Sequence, residues 1–346
     1  MSLAAPFEVK GWCPGALRPM PSGDGLLVRV RPWCGAFTLD QAAGLADIAA
    51  TLGNGGIDLT RRANLQIRGL REDHLPALHE ALDRLGLLED EAARNVMVGP
   101  LAGPEVRALA LALGHALPGD LSPKFGALVD GGGPLSIAGE RATIALCTTS
   151  EGVAVRVDGE WLGLAAPDNA VGAALGDRRL LSTMTVMPIP GRRRLGRMGR
   201  FTGLAAPFGR IDAAQLRALV GACATAGGSQ LRLSPWRALY VDAAIEAHGL
   251  IADESDPLLR IEACPGSPAC ASATVDTRGD ARRLAAMGFA GTIHVSGCAK
   301  GCARSAPADL VLVGREGRYG VVRHGTARDP ASRTVAPDAL GSLLDG

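Results

Sequence analysis

Ala263-Cys264-Pro265-Gly266-Ser267-Pro268-Ala269-Cys270, followed later by Ser296-Gly297-Cys298-Ala299-Lys300-Gly301-Cys302, sets four cysteines in two pairs, C-x5-C and C-x3-C. Thiolates are soft ligands that select zinc, copper or iron–sulfur clusters, and four of them saturate one 4Fe–4S cube. Structural zinc sites usually pair their cysteines about two to four residues apart. The gap between Cys264 and Cys270 holds two prolines and a glycine, a wider loop suited to two corners of a cube. Gly297 and Gly301 let the second loop approach closely, because glycine tolerates conformations that other residues avoid. Two disulfides, a zinc site and four unrelated buried thiols are the alternatives. Cysteine clusters in a reducing compartment lean towards metal binding or catalysis, which favours the iron–sulfur reading.

The rest of the chain narrows the setting. At 346 residues there is room for about two domains, and 47% apolar residues supply sizeable cores. A formal net charge of +1 gives no electrostatic hint of nucleic acid or of an acidic membrane surface. Aromatics at 3% argue against base stacking. Met1 to Trp12 lacks an apolar core of signal-peptide length, and the most apolar helical stretch, Val106 to Leu117, is too short to span a bilayer. Cys13, Cys34, Cys147 and Cys223 are scattered and read as isolated thiols. The expectation is a cytoplasmic protein with no nucleic-acid or membrane partner.

An internal repeat organises the chain. With Gly35 set on Gly209, an offset of 174 residues, Gln41 meets Gln215 and Leu45 meets Leu219 without a gap. Ala50-Thr51 meets Ala224-Thr225, Gly53 meets Gly227, Leu59 meets Leu233 and Leu65 meets Leu239. Periodicity predicts a strand at Leu26 to Arg31 and a helix over Leu39 to Leu52. Short strands follow at Ile57 to Thr60 and Leu65 to Arg68, then a helix from Leu75 to Leu85. The second copy predicts an N-cap at Asp212, a helix to Ala226, and strands at Gln230 to Leu233 and Ala238 to Val241. Each copy reads as a β-α-β-β-α unit, a ferredoxin-like half that needs its twin to complete a sheet.

Repeat and cysteine pattern together resemble the sulfite/nitrite reductase superfamily, over about Gly11 to Gly325. The resemblance implies an α+β, pseudo-twofold duplicated fold: two ferredoxin-like half-domains plus two larger α+β halves. The segments would be 11–86 and 191–255 for the ferredoxin-like halves, 87–190 for the first α+β half and 256–346 for the one that binds 4Fe–4S. Three stretches are similar to the precorrin-3B synthase family within it. They are Gly11-Trp12-Cys13-Pro14-Gly15 running on to Ser22-Gly23-Asp24-Gly25-Leu26-Leu27, then Pro123-Lys124-Phe125-Gly126 with Val129-Asp130-Gly131-Gly132, and last the cluster loop from His294 to Cys302. That likeness implies an oxygen-dependent monooxygenase that hydroxylates precorrin-3A with γ-lactone formation in aerobic cobalamin biosynthesis.

The resemblance also carries residue roles. Cys264, Cys270, Cys298 and Cys302 would hold the 4Fe–4S cluster. Cys302 matches the position whose sulfur faces the macrocycle, which makes it the candidate bridge to a catalytic iron. Siroheme reductases cradle macrocycle and anion with two arginines and a Lys-x-Lys pair. Arg62, in Leu59-Thr60-Arg61-Arg62-Ala63-Asn64, matches the first arginine, Arg94 the second and Lys124 the first lysine, while Gly126 replaces the second lysine. Reducing a small anion needs every cation over the iron, so Gly126 counts against sulfite or nitrite reduction and suggests room for a bulky macrocycle edge. Arginine's planar fork binds carboxylates bidentately, which fits a carboxylate-rich tetrapyrrole at Arg62, Arg94 and Lys124. The family also implies a mononuclear non-haem iron, for which His294 and His324 are the nearby histidines. Arg192, Arg193, Arg194, Arg197 and Arg200 form either a solvated linker or a rim for an anionic macrocycle or acidic donor. No G-x-G-x-x-G fingerprint follows a strand, so electrons must come from a separate reductase or donor. A siroheme-dependent sulfite or nitrite reductase and a non-catalytic iron–sulfur carrier or sensor are the competing readings.

Overall fold

The computed structural model describes residues 14–88, 95–122, 125–246 and 248–343. The first copy runs β1 (Met20–Ser22), β2 (Gly25–Val30), β3 (Ala36–Thr38), α1 (Leu39–Thr51), β4 (Gly56–Leu59), β5 (Leu65–Leu70) and α2 (Leu75–Arg84). Next come β6 (Val96–Val98), α3 (Pro104–Ala116), β7 (Ala127–Asp130), β8 (Ile144–Thr149), β9 (Gly152–Val157), β10 (Glu160–Ala165) and α4 (Ala170–Ala174). The second copy is β11 (Gly196–Met198), β12 (Phe201–Ala205), β13 (Arg210–Asp212), α5 (Ala213–Thr225), β14 (Gln230–Leu233) and β15 (Ala238–Val241). The chain ends in β16 (Ile261–Ala263), α6 (Thr277–Ala286), β17 (Ile293–Ser296), β18 (Ala308–Arg315), β19 (Arg318–Gly325) and β20 (Arg333–Val335).

Capping chemistry starts the two long repeat helices in the same way. Thr38 accepts from Gln41 N at 3.1 Å while the Gln41 side chain accepts from Thr38 N at 3.0 Å. Asp212 and Gln215 form the equivalent capping box at 2.7 and 3.1 Å, satisfying donors that an uncapped helix start leaves open. Ala42, Leu45, Ala46, Ile48 and Ala49 bury one face of α1, and Leu216, Leu219, Val220 and Cys223 one face of α5. The two helices pack on each other, and the small alanines let them approach closely.

Each repeat sheet takes its fifth strand from the other copy. The orders are β1-β2-β5-β4-β13 and β11-β12-β15-β14-β3. Arg210, Ile211 and Asp212 lie opposite Asp58, Ile57 and Gly56, while Ala36, Phe37 and Thr38 lie opposite Arg232, Leu231 and Gln230. A shift of 174 converts one register into the other. Backbone strain repeats at the same offset: Cys34 and Phe208 have φ of 50° and 56°, and Ala63 and Arg237 have 51° and 57°. Asp58 ties the exchange electrostatically, with Arg68 of its own copy at 3.4 Å and Arg210 of the other at 3.3 Å.

The copies part company after their last strand. The β-α-β-β-α reading holds for the first; in the second, among the described residues, no α-helix lies between β15 and β16. The chain there bonds sideways instead. Thr202 Oγ1 donates to Ala243 O at 2.7 Å, and Ile251 and Ala205 exchange two 2.9 Å backbone bonds across an isolated bridge. These bonds to Thr202 and Ala205 of β12 hold the chain at Ala243 and Ile251 against the sheet.

The remaining two sheets share one topology. In β6-β7-β8-β9-β10 and β16-β17-β18-β19-β20 the first three strands are parallel and the last two antiparallel additions, with α3 or α6 crossing between the first pair. The chain divides into two compact units. The larger takes residues 14–20 and Leu27–Ala252, and the smaller takes Asp253 onwards together with the hairpin tip Pro21–Leu26. Among the described residues, no helix is long and apolar enough to cross a membrane.

Candidate functional site

Parallel pairing brings the two cysteine loops to one edge of the smaller unit. Ile261, Glu262 and Ala263 of β16 run beside Ile293, His294 and Val295 of β17, so both strands deliver their C-terminal loops side by side, where open parallel sheets commonly bind ligands. Cys264 follows β16 directly and donates its N–H to Val295 O at 3.2 Å. Thr277, at the start of α6, donates its hydroxyl to Cys264 O at 2.6 Å. Gly297 donates its N–H to Cys264 Sγ at 3.1 Å, and a Cβ on Gly297 would come to 2.5 Å from Ala273 Cβ. Ser296 Oγ holds Cys298 O at 2.7 Å.

All seven described cysteines are free thiols, which removes the disulfide alternative. Although Cys302 is exposed as a residue, the protein atoms crowded around its sulfur desolvate the thiol and raise it to about 11; Lys300 opposes this, and the neighbouring sulfurs of Cys264, Cys298 and Cys270 add to it. Burial likewise raises Cys298, against a backbone hydrogen bond from Lys300. The four sulfurs therefore sense one another, and as bare thiolates they would repel. A bound metal supplies the positive charge that deprotonates such thiols outright. Among the described residues, no group of three His, Cys, Asp or Glu side chains converges on one ion. A single zinc would need sulfurs about 2.3 Å away on every side, whereas a cube carries its thiolates at separate corners. Four mutually coupled sulfurs, with N–H groups donating to two of them, fit an iron–sulfur cluster.

The first α+β half has the same geometry without the cysteines. Gly99 follows β6 and donates to Val129 O at 3.1 Å, the counterpart of the Cys264 bond. Asp130, the last residue of β7, closes the loop that follows it by accepting from Ser136 Oγ at 2.7 Å, Ile137 N at 3.0 Å and Gly132 N at 3.0 Å. A buried carboxylate stitches the loop shut there.

Arg62 sits on the β4–β5 turn in the larger unit. Thr60 Oγ1 accepts from the N–H of Arg62 at 3.2 Å and of Asn64 at 3.1 Å, which pins the turn. The buried amides of Asn64 and Asn95 meet at 2.8 Å. Arg62 Nη1 donates to Phe125 O at 3.2 Å, and a Cβ built on Gly126 would overlap that nitrogen. The Arg62 guanidinium thus lies in the room left by Gly126. Arg62 and Gly126 line a cleft of roughly 730 Å³ with Glu140, Arg141, Thr143, Arg156 and Asp158. Arg156 fixes its wall by donating to Ala138 O at 2.9 Å and Glu140 O at 2.7 Å, with its guanidinium over Trp161 at 5.1 Å. Burial raises the Glu140 carboxyl, while a hydrogen bond from Trp236 and the charge of Arg61 pull it back.

Sequence reading had missed the cleft's other polar residues, Glu140, Arg141 and Arg156. It had also missed Trp236, although the repeat holds the signal: Trp236 is the residue 174 beyond Arg62, so equivalent turns of both copies reach the 126–143 segment. Arg94, Lys124 and Cys13 lie outside the described residues. Of the arginine run, Arg200 reaches Asp242 at 3.7 Å, and Arg192, Arg194 and Arg197 face solvent. His294 is fully buried in β17, and His324 is exposed with Nδ1 3.5 Å from Asp309. The described residues do not assemble a ligand set for a mononuclear iron.

Residues 18–85 match the nitrite/sulfite reductase ferredoxin-like half domain. The fold is similar to that of the Mycobacterium tuberculosis NirA protein, with a TM-score of 0.69 at 19% identity, covering 92% of this chain and 79% of that one. A ferredoxin–nitrite reductase from Leptolyngbya laminosa is 32% identical, but over 27% of this chain and 19% of its own length. A precorrin-3B synthase from Sinorhizobium sp is 31% identical over 97% of this chain and 87% of its own. The chain belongs to the precorrin-3B synthase family.

Proposed function

We propose that the protein is an oxygen-dependent precorrin-3B synthase that hydroxylates precorrin-3A and closes a γ-lactone on the ring A acetate. The observation that carries this reading is the family match over almost the whole chain. The site supports it. Where a small-anion reductase would present a second lysine, Gly126 lets the Arg62 fork lie against the backbone at Phe125, a planar donor suited to a carboxylate. Arg62, Arg94 and Lys124 are assigned to substrate carboxylates. A 4Fe–4S cluster on Cys264, Cys270, Cys298 and Cys302 would supply single electrons. Cys302 is the exposed member of the four, as expected of the sulfur nearest the substrate. One oxygen atom enters the substrate and the other leaves as water, so two electrons and two protons must enter from outside, the electrons from a separate donor.

The test is a paired assay of the purified protein, with precorrin-3A plus oxygen and with sulfite plus a chemical reductant. Oxygen-dependent turnover and a broad cluster absorption without a siroheme Soret band are expected. Sulfite reduction at a comparable rate would return the anion-reducing members of the superfamily to first place.

A further inference from the structure

The tip of the first hairpin, Ser22-Gly23-Asp24-Gly25, belongs to the same compact unit as the cysteine loops. A Cβ on Gly23 would sit on Ala271 N and 2.8 Å from the Cα and carbonyl carbon of Cys270. These are backbone atoms, so no side chain can rotate out of the way. Gly23 does not need glycine for its own dihedrals, since its φ lies outside the left-handed region. The close approach alone demands it. On its other side the same turn is held by the Ala273 N–H, which donates to Cys270 O at 3.0 Å, and by Gly297, whose bare Cα admits the Ala273 methyl.

We propose that this hairpin tip is a wall of the cluster site and that Gly23 is a positioning residue, setting the backbone of Cys270 from a point far upstream in the chain. The assignment rests on Cys270 being a cluster ligand. Any side chain at position 23 displaces the backbone at Cys270 and Ala271, and the second cysteine of the first pair then misses its corner. Removing such a supporting contact typically costs about 10- to 100-fold in metal affinity.

The experiment compares iron and acid-labile sulfide per chain, and visible absorption, in anaerobically purified parent, Gly23→Ala, Gly15→Ala and Cys270→Ser. Gly15 lies in the same N-terminal stretch with nothing within 4 Å of its Cβ position. Gly23→Ala should lose most of its iron while Gly15→Ala keeps all of it. Full iron in a folded Gly23→Ala protein overturns the hairpin's role; full iron in Cys270→Ser overturns the ligand assignment beneath it. Should Gly23→Ala fail to fold, cleavage before Asp24 by endoproteinase Asp-N decides the matter. Coupling between tip and loop is reciprocal, so the cluster-free Cys270→Ser protein should be cut several-fold faster there than the parent. Equal rates would overturn the proposal.

Discussion

Adding one methyl group at Gly126 should disable Arg62 without altering it. The backbone at Gly126 accepts alanine, but the new Cβ overlaps Arg62 Nη1 and comes to 3.3 Å from Cζ. The guanidinium, as the end of a flexible side chain, swings away and gives up its 3.2 Å bond to Phe125 O. A hydrogen bond to a charged group contributes about 1.5–3 kcal/mol, yet this half-buried end recovers water on leaving, so the fold should lose under about 1 kcal/mol. Substrate loses more. One carboxylate contact of about 1.5–3 kcal/mol is roughly a 10- to 150-fold rise in Kd. The assay is a precorrin-3A binding titration on parent, Gly126→Ala, Arg62→Ala and the double variant, with iron content as the control. Because both substitutions remove one interaction, their effects should be strongly non-additive. Parent-like binding by Gly126→Ala beside a weakened Arg62→Ala, or strict additivity, would refute the reasoning.

Three further outcomes are expected. Cys264→Ser, Cys270→Ser, Cys298→Ser and Cys302→Ser should each lose cluster iron, since a hard hydroxyl replaces a soft thiolate poorly, whereas Cys34→Ser, Cys147→Ser and Cys223→Ser should keep the parent's visible spectrum. Thr38→Ala and Asp212→Ala should each lower stability by about 1 kcal/mol in urea unfolding, and a large difference between them would break the equivalence of the two caps. Burial works to raise the Asp242 carboxyl, but hydrogen bonds from Ser229 and Gln230 outweigh it and leave it below the usual carboxylate range. Its contribution is therefore fully present above the unfolded value of about 3.9 and lost as pH falls through the lower folded value. The stability gap between parent and Asp242→Asn should shrink below pH 4, and a gap that stays constant with pH would contradict this.

Periodicity located most repeat elements because their signals are local. The second-copy strands at Gln230–Leu233 and Ala238–Val241 end where alternation and the Ser234-Pro235 turn place them, and Thr38 and Asp212 cap as their side chains dictate. Strand exchange left no local trace. Ala36–Thr38 and Arg210–Asp212 are three-residue strands, too short for alternation to register, and they act through partners far along the chain. Three-dimensional packing also decided what Gly126 does. A missing side chain reads in sequence as space, and in the folded chain the Arg62 guanidinium lies in it. The two cysteine pairs are a local signal too, and the parallel pairing of β16 with β17 sets their loops side by side.

The mutual loan of β3 and β13 bears on how such a chain could arise and be built. A polypeptide with a single copy would present β4 as an open edge with β3 projecting unclaimed, and the simplest remedy is a second molecule reciprocating: a swapped homodimer. Joining the copies in one chain keeps the reciprocating strand always at hand, an effective concentration independent of how much protein the cell makes. It also removes the requirement that both copies be identical. Once each had a permanent complement, one loop set could keep its sulfurs while the other closed around Asp130. During synthesis the first copy must wait for residues 210–212 before its sheet is complete, which makes the interval between the copies the period of greatest exposure to mispairing.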